Sequence, residues 1–282
     1  MGALDGKVAM VTGGSRGIGK GAAIALGEQG ATVYVTGRSV TAGPLPGTVA
    51  ETAELVTAAG GTGIAVACDH HDDAQVEAVF DRVGDEQGRL DVLVNNVYNS
   101  PGLAQWLGTT FWELPIEAWD EVLGIGTRSH YVASVFAARM MVPATSGVIV
   151  NVSSSGAVAY AHNVPYGVGK AALDRMTADF ALELGPHGVA AVSLWPGLVR
   201  TELVLFGAKD GKLSLPGEGE FDVSLAQSPI FVGRAAAALA AAPDILERSG
   251  RAFPVADLAR ELGFTEDDGT IPDLLVRERA GG

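Results

Sequence analysis

Short, uniformly apolar runs alternate along the chain with longer segments in which small and apolar residues recur every third or fourth position. The first run, Lys7–Val11, ends in a glycine cluster and leads into an alanine-rich segment, Gly19–Gly27, that reads as a helix. Strand-like runs recur at Ala31–Thr36, Gly63–Cys68, Asp91–Val94, Gly147–Val152 and Val189–Trp195. Between them the spacing predicts helices over Glu51–Ala59, Ala74–Val83, Ile116–Met141 and Val168–Leu184. Strands separated by helices imply a parallel sheet with helices on both faces, and strands this apolar are buried on both sides. The expected fold class is α/β, a doubly wound parallel sheet of the Rossmann type.

Two segments break the rhythm. Val40–Gly47 carries glycine and proline and reads as a surface loop; Ala208–Gln227 is glycine-rich and polar with no clear period. A connection that long in a compact fold is usually a lid, so a lid-like segment is expected over about residues 203–228. Nothing marks a domain boundary, and residues 1–282 read as a single domain.

Composition narrows the possible roles. Apolar residues make up 48% and charged residues 18%, which excludes long disorder. A net charge of −14 argues against nucleic-acid and membrane-surface partners. A single cysteine, Cys68, allows neither an internal disulfide nor a cysteine-based metal site. The longest apolar run, Ala235–Ala242, is too short to span a bilayer, and the start has no apolar signal segment, so a cytoplasmic location is expected.

The first strand runs into Thr12-Gly13-Gly14-Ser15-Arg16-Gly17-Ile18-Gly19. A glycine-rich turn between strand and helix lets backbone approach a pyrophosphate, and the helix N-terminus offers free N–H groups to it. A plain tight turn would have the same composition, but the loop sits at the first strand–helix junction, as a dinucleotide site requires. Further along come Asp91-Val-Leu-Val-Asn95-Asn96, Tyr166-Gly-Val-Gly-Lys170 and Trp195-Pro196-Gly197-Leu-Val-Arg-Thr201. In this order and spacing the chain resembles the short-chain dehydrogenase/reductase family. The residues around Tyr166 and the tail from Asp257 to Arg260 extend the likeness to about Pro272.

The resemblance implies a nicotinamide cofactor held by Gly13, Ser15, Arg16, Gly17, Ile18 and Gly19. NAD sites often end the second strand with an acidic residue. Here that position is Gly37, followed by Arg38, which leaves room for a 2′-phosphate gripped by Arg38 and Arg16. NADP(H) is expected rather than NAD(H), against the alternative that both arginines are solvated surface residues. In the family Asp69 would bind the adenine amino group, although it would equally suit a turn before a helix. Asn95 would tie the fourth strand to its neighbours near the adenosine ribose. Val199 would meet the nicotinamide ring, and Thr201 would bond either the nicotinamide carboxamide or the pyrophosphate. The His70–His71 pair between aspartates is not expected to bind metal.

Tyrosine is a weak acid, with a pKa of about 10. A lysine one helical turn away favours the phenolate, so Tyr166 and Lys170 form the expected proton-transfer pair, each also touching the cofactor. A serine should hold the substrate oxygen. Counting from the strand gives Ser154 and counting back from Tyr166 gives Ser153; the strand count is preferred, with a one-residue deletion before Gly156 explaining the mismatch. Two positions depart from the family. Its usual Ala-Gly after Asn95-Asn96 is Val97-Tyr98, and the asparagine expected seven residues after Trp119 is Gly126. His130, one turn on, is either a helper to the proton route or a packed histidine. Leu203, Leu205, Phe206 and Leu213 are expected to form an apolar cover, suiting a small lipophilic ketone or secondary alcohol. The resemblance also implies a homodimer or homotetramer. The alternative is a non-catalytic dinucleotide-binding sensor or scaffold subunit.

Overall fold

Every residue of β1 (Val8–Val11) is buried, and the strand pairs in parallel with β2 (Thr32–Gly37) on one side and β4 (Val92–Asn95) on the other. β3 (Thr62–Ala67) extends the sheet beyond β2; β5 (Gly147–Val152), β6 (Val189–Trp195) and β9 (Ala252–Pro254) extend it beyond β4. The result is a seven-stranded parallel sheet in the order β3-β2-β1-β4-β5-β6-β9. The computed structural model describes residues 2–41, 43–99, 104–216 and 219–273. The outer ends of the expected 1–282 domain and residues 217–218 of the expected lid lie outside these.

Alternate strand residues feed two cores, as the period of a strand requires. Ala9, Val11, Val33 and Val35 pack against α1 (Gly17–Glu28), α2 (Val49–Ala58) and α8 (Pro229–Ala241). Val8, Met10, Tyr34 and Leu93 pack on the other face against α3 (Asp73–Gln87) and α5 (Ser129–Ala144). The doubly wound sheet expected from the strand pattern is therefore present.

Helix starts follow local chemistry. Thr48 and Glu51 make a reciprocal capping box at α2. Asp72, not Asp69, caps α3, accepting from the N–H groups of Ala74 and Gln75. The helix expected from Val168 begins four residues earlier as α6 (Val164–Leu184), because Asn163 accepts from the Tyr166 N–H and proline stands in the first turn. Tyr166 thus sits in a capped, rigid first turn.

The expected helix over Ile116–Met141 is α4 (Glu117–Leu123) and α5 joined by a π-helical turn, Gly124–Arg128. The periodicity did not reveal α8, α9 (Ile245–Arg248), β9 or α10 (Val255–Leu262). The segment expected to be lid-like holds α7 (Glu202–Gly207) and an antiparallel hairpin, β7 (Lys212–Leu215) with β8 (Gly219–Asp222).

α1 and α8 approach so closely that a Cβ on Gly21 would run into the Pro229 carbonyl, and one on Gly233 into the Gly21 carbonyl. Gly233→Ala is expected to cost about 1–3 kcal/mol through overpacking, lowering the urea midpoint without changing the slope. An unchanged midpoint would show that the two helices part without cost.

Candidate active site

The loop between β1 and α1 is clamped to the end of β4. Thr12 Oγ1 accepts from the N–H groups of Asn96 (3.0 Å) and Val97 (3.2 Å), and the Asn96 amide donates to the carbonyls of Thr12 and Gly13. Gly13 has φ +66°, and a Cβ there would lie 2.7 Å from Val97 Cα, so only glycine fits. Gly13, Ser15, Arg16, Gly17 and Ile18 form one wall of a cleft of about 450 Å³. That volume suits a cofactor or substrate site. Gly19 packs behind the wall, against Asn96 and the Gly13 carbonyl.

Arg38 and Asp69 line the same cleft. Arg38 is exposed, whereas Arg16 reaches across to donate to Ser39 Oγ (2.8 Å) and the Gly47 carbonyl (3.2 Å). Arg16 Nε is buried and meets no acceptor among the described residues. An orphaned guanidinium N–H beside a helix N-terminus fits an anionic group such as a dinucleotide phosphate. Asp69 also organises its own turn, accepting from the His71 N–H at 3.0 Å.

Asn95 lies outside the cleft wall. It is fully buried, and its amide donates to Asn151 and Ser134, tying β4 to β5 and α5. Asn96 takes the wall position instead. Val199 and Thr201 line the opposite side; Thr201 Oγ1 caps α7 and its methyl packs near Gly17.

At the far end stand Ser154, Tyr166 and Lys170. The Tyr166 hydroxyl donates to Ser154 Oγ at 3.0 Å, and the Gly156 N–H donates to that same oxygen at 3.1 Å. Ser153 points elsewhere: its hydroxyl is buried and donates to the Lys170 carbonyl. Lys170 Nζ donates to the Val152 carbonyl at 2.9 Å and lies 5.7 Å from the centre of the Tyr166 ring. Burial pushes the Lys170 ammonium down to about 8, against an opposing pull from Asp174. Lys170 therefore loses its charge in the mildly alkaline range rather than far above it.

Three further residues shape this end. The Tyr98 ring packs edge-on to Tyr166, with centroids 6.1 Å apart. His130 is buried, and its Nε2 lies 3.1 Å from the Val97 carbonyl, so that nitrogen must carry the proton it donates. Burial, then the Lys170 charge, lowers His130 to about 3; it is a neutral, packed histidine. His162 has φ +58° and its ring centroid lies 4.6 Å from that of Tyr166. No feature of the sequence pointed to His162, since its place comes from the turn before the Asn163 cap.

Leu203, Leu213 and Leu215 line the cleft from α7 and the hairpin. Leu205 and Phe206, expected in the cover, are instead 55% and 79% exposed, because they fall on the outer face of α7. Among the described residues no cluster of candidate metal ligands occurs, and no helix is long and apolar enough to cross a membrane.

Comparison with known proteins places these features. Residues 7–208 match the short chain dehydrogenase family. Mouse dehydrogenase/reductase SDR family member 1 is 48% identical over 273 residues, covering 94% of this chain and 85% of that protein. A Xanthomonas campestris chain assigned as a dehydrogenase superposes with a TM-score of 0.78 at 26% identity, covering 98% of each chain. A metagenomic short-chain oxidoreductase solved with NADP gives a TM-score of 0.68 at 29% identity, covering 86% of this chain and 93% of that one.

One contact bears directly on the N-terminus of α1. The Gly17 N–H, first in α1, donates to Glu202 Oε2 at 2.8 Å. A carboxylate thus takes the donor that a cofactor phosphate would use. Glu202→Gln is expected to tighten binding of NADP by roughly 3–10-fold in calorimetric titration, since a charge competing at a helix N-terminus is removed. Equal or weaker affinity would show that Glu202 does not compete with the cofactor.

Proposed function

The chain belongs to the short-chain dehydrogenase/reductase family and is an NAD(P)-dependent oxidoreductase; we propose that it uses NADP(H) to interconvert a small lipophilic ketone and its secondary alcohol, with Tyr166 as general acid/base. The observation that carries this reading is the Tyr166 hydroxyl bonded to Ser154 at 3.0 Å beside the buried Lys170 ammonium, at the end of the glycine-loop cleft.

The glycine loop and Thr201 would hold the cofactor's pyrophosphate, Arg16 and Arg38 its 2′-phosphate, and Val199 its nicotinamide end. When bound, the nicotinamide supplies or accepts the hydride. The residues of this chain move the proton. In reduction the hydroxyls of Ser154 and Tyr166 both point hydrogen bonds at the carbonyl oxygen, and Tyr166 gives up its proton as charge grows there. In oxidation the Tyr166 phenolate oxygen takes the proton from the alcohol. The Lys170 ammonium favours the phenolate left behind. Ser154 keeps its orientation because its oxygen accepts from the Gly156 N–H, which leaves its O–H to donate to the substrate oxygen.

The leucines facing the cleft from α7 and the hairpin favour an apolar substrate body. Arg16 and Arg38 near the Gly37 position favour the phosphorylated cofactor. A homodimer or homotetramer in the cytoplasm accords with the reading: Tyr131 on α5 and Leu182 on α6 are 51% and 77% exposed, apolar surface that a second copy would cover.

Two measurements test this. With a panel of ketones and NADPH, Tyr166→Phe is expected to lower kcat by about 10²–10⁴-fold while NADPH affinity stays within a few-fold; full activity would remove the proposed acid. Arg38→Ala is expected to weaken NADPH about 10–100-fold and to leave NADH nearly unchanged. Equal losses for both cofactors would contradict the assignment to NADP(H).

A further inference from the structure

Val97-Tyr98 and Gly126, which stand apart in the sequence, meet in the structure. Gly126 lies in the π-helical turn Gly124–Arg128, and a Cβ built on it would come within 2.5 Å of Tyr98 Cε2 and 2.7 Å of Cδ2. Any side chain at 126 would therefore evict the Tyr98 ring. A π turn widens a helix locally, and such turns are frequent at functional sites. The backbone leading to Tyr98 is held from two sides. Thr12 Oγ1 accepts from the Val97 N–H at 3.2 Å, and His130 donates to the Val97 carbonyl at 3.1 Å.

What this pinned ring faces is the Lys170 ammonium, whose Nζ lies 5.0 Å from the ring centre, nearer than to Tyr166 at 5.7 Å. A cation within about 6 Å of an aromatic face is attracted by the ring quadrupole. The other groups around Lys170 are the Val152 carbonyl, the Asp174 carboxyl on the same helix, the neutral imidazole of His130 and the Tyr166 phenol. The Tyr98 hydroxyl is buried and finds no partner among the described residues, so the polar end of this side chain does not explain its place.

We propose that Tyr98, given room by Gly126, is a positioning residue whose ring face keeps Lys170 charged beside Tyr166. Burial alone drives the lysine towards its neutral form; the ring supplies part of the opposing attraction, without adding a second titrating anion to the site. The inference deepens the reading of Tyr166 and Lys170 as the proton-transfer pair and rests on it.

The chain has five lysines, so the titration of Lys170 can be followed by side-chain NMR of lysine-labelled protein, with the resonance identified by its loss in Lys170→Met. Tyr98→Phe keeps the ring and is expected to leave the Lys170 midpoint in place. Tyr98→Leu removes the ring and is expected to lower the midpoint by about half a unit to one and a half units. Gly126→Ala, which displaces the ring without changing Tyr98, is expected to lower it as well. The acid limb of the oxidation pH profile should move upward in Tyr98→Leu and stay put in Tyr98→Phe. A Lys170 midpoint that is unchanged or raised in Tyr98→Leu would overturn the proposal, as would a Phe variant that shifts as far as the Leu variant. The NMR titration needs no substrate, so absence of turnover across the ketone panel would count against the proposed reaction and leave this result readable.

Discussion

An ammonium group survives inside a protein only where its lost hydration is replaced, and the arrangement around Lys170 follows from that requirement. Its side chain is almost wholly buried, with one carbonyl, from Val152 at the end of β5, as its hydrogen-bond acceptor among the described residues. Two aromatic faces, Tyr98 and Tyr166, and the Asp174 carboxyl complete its surroundings. The balance leaves the charge marginal, with titration near 8. A lysine so poised acts strongly on a phenol close by, because little water lies between them to screen the interaction.

The scaffold supplies this geometry by fixing the ends of parallel strands. β5 delivers Val152 and Ser154, and the Asn163 cap holds α6 so that Tyr166 and Lys170 stand one turn apart above them. β1 and β4 are locked together by Thr12 and Asn96, which sets the glycine loop and aims the chain from Val97 towards Lys170. The glycine loop and the Ser154, Tyr166 and Lys170 side chains are thus placed by the same strand ends, and residues Thr201 to Val204 line the cleft that joins them. Glu202 on that helix reaches back to Gly17, coupling the cover to the phosphate end of the cleft.

Much of this was legible in the sequence because it is carried by local patterns. Apolar strand runs and the glycine loop gave the sheet and the cleft, and the register of β5 singled out Ser154, which the structure sets 3.0 Å from the Tyr166 hydroxyl. What escaped depends on contacts distant in sequence. Nothing near Tyr98 shows that Gly126 makes room for it, and nothing near His162 shows that its ring meets Tyr166. α8 is alanine-rich and buried nearly all round, so it has no polar face to mark its period. Leu205 and Phe206 looked like cover residues by composition, but the turn of α7 faces them outward.

The central claim, that the buried Lys170 charge makes Tyr166 a usable acid and base, is tested most directly by titrating the Tyr166 phenolate. The ultraviolet difference between the wild-type protein and Tyr166→Phe isolates that one phenol. The account predicts a midpoint clearly below the ordinary tyrosine value of about 10 in the wild type, returning towards or above it in Lys170→Met. The same midpoint with and without the lysine would contradict it.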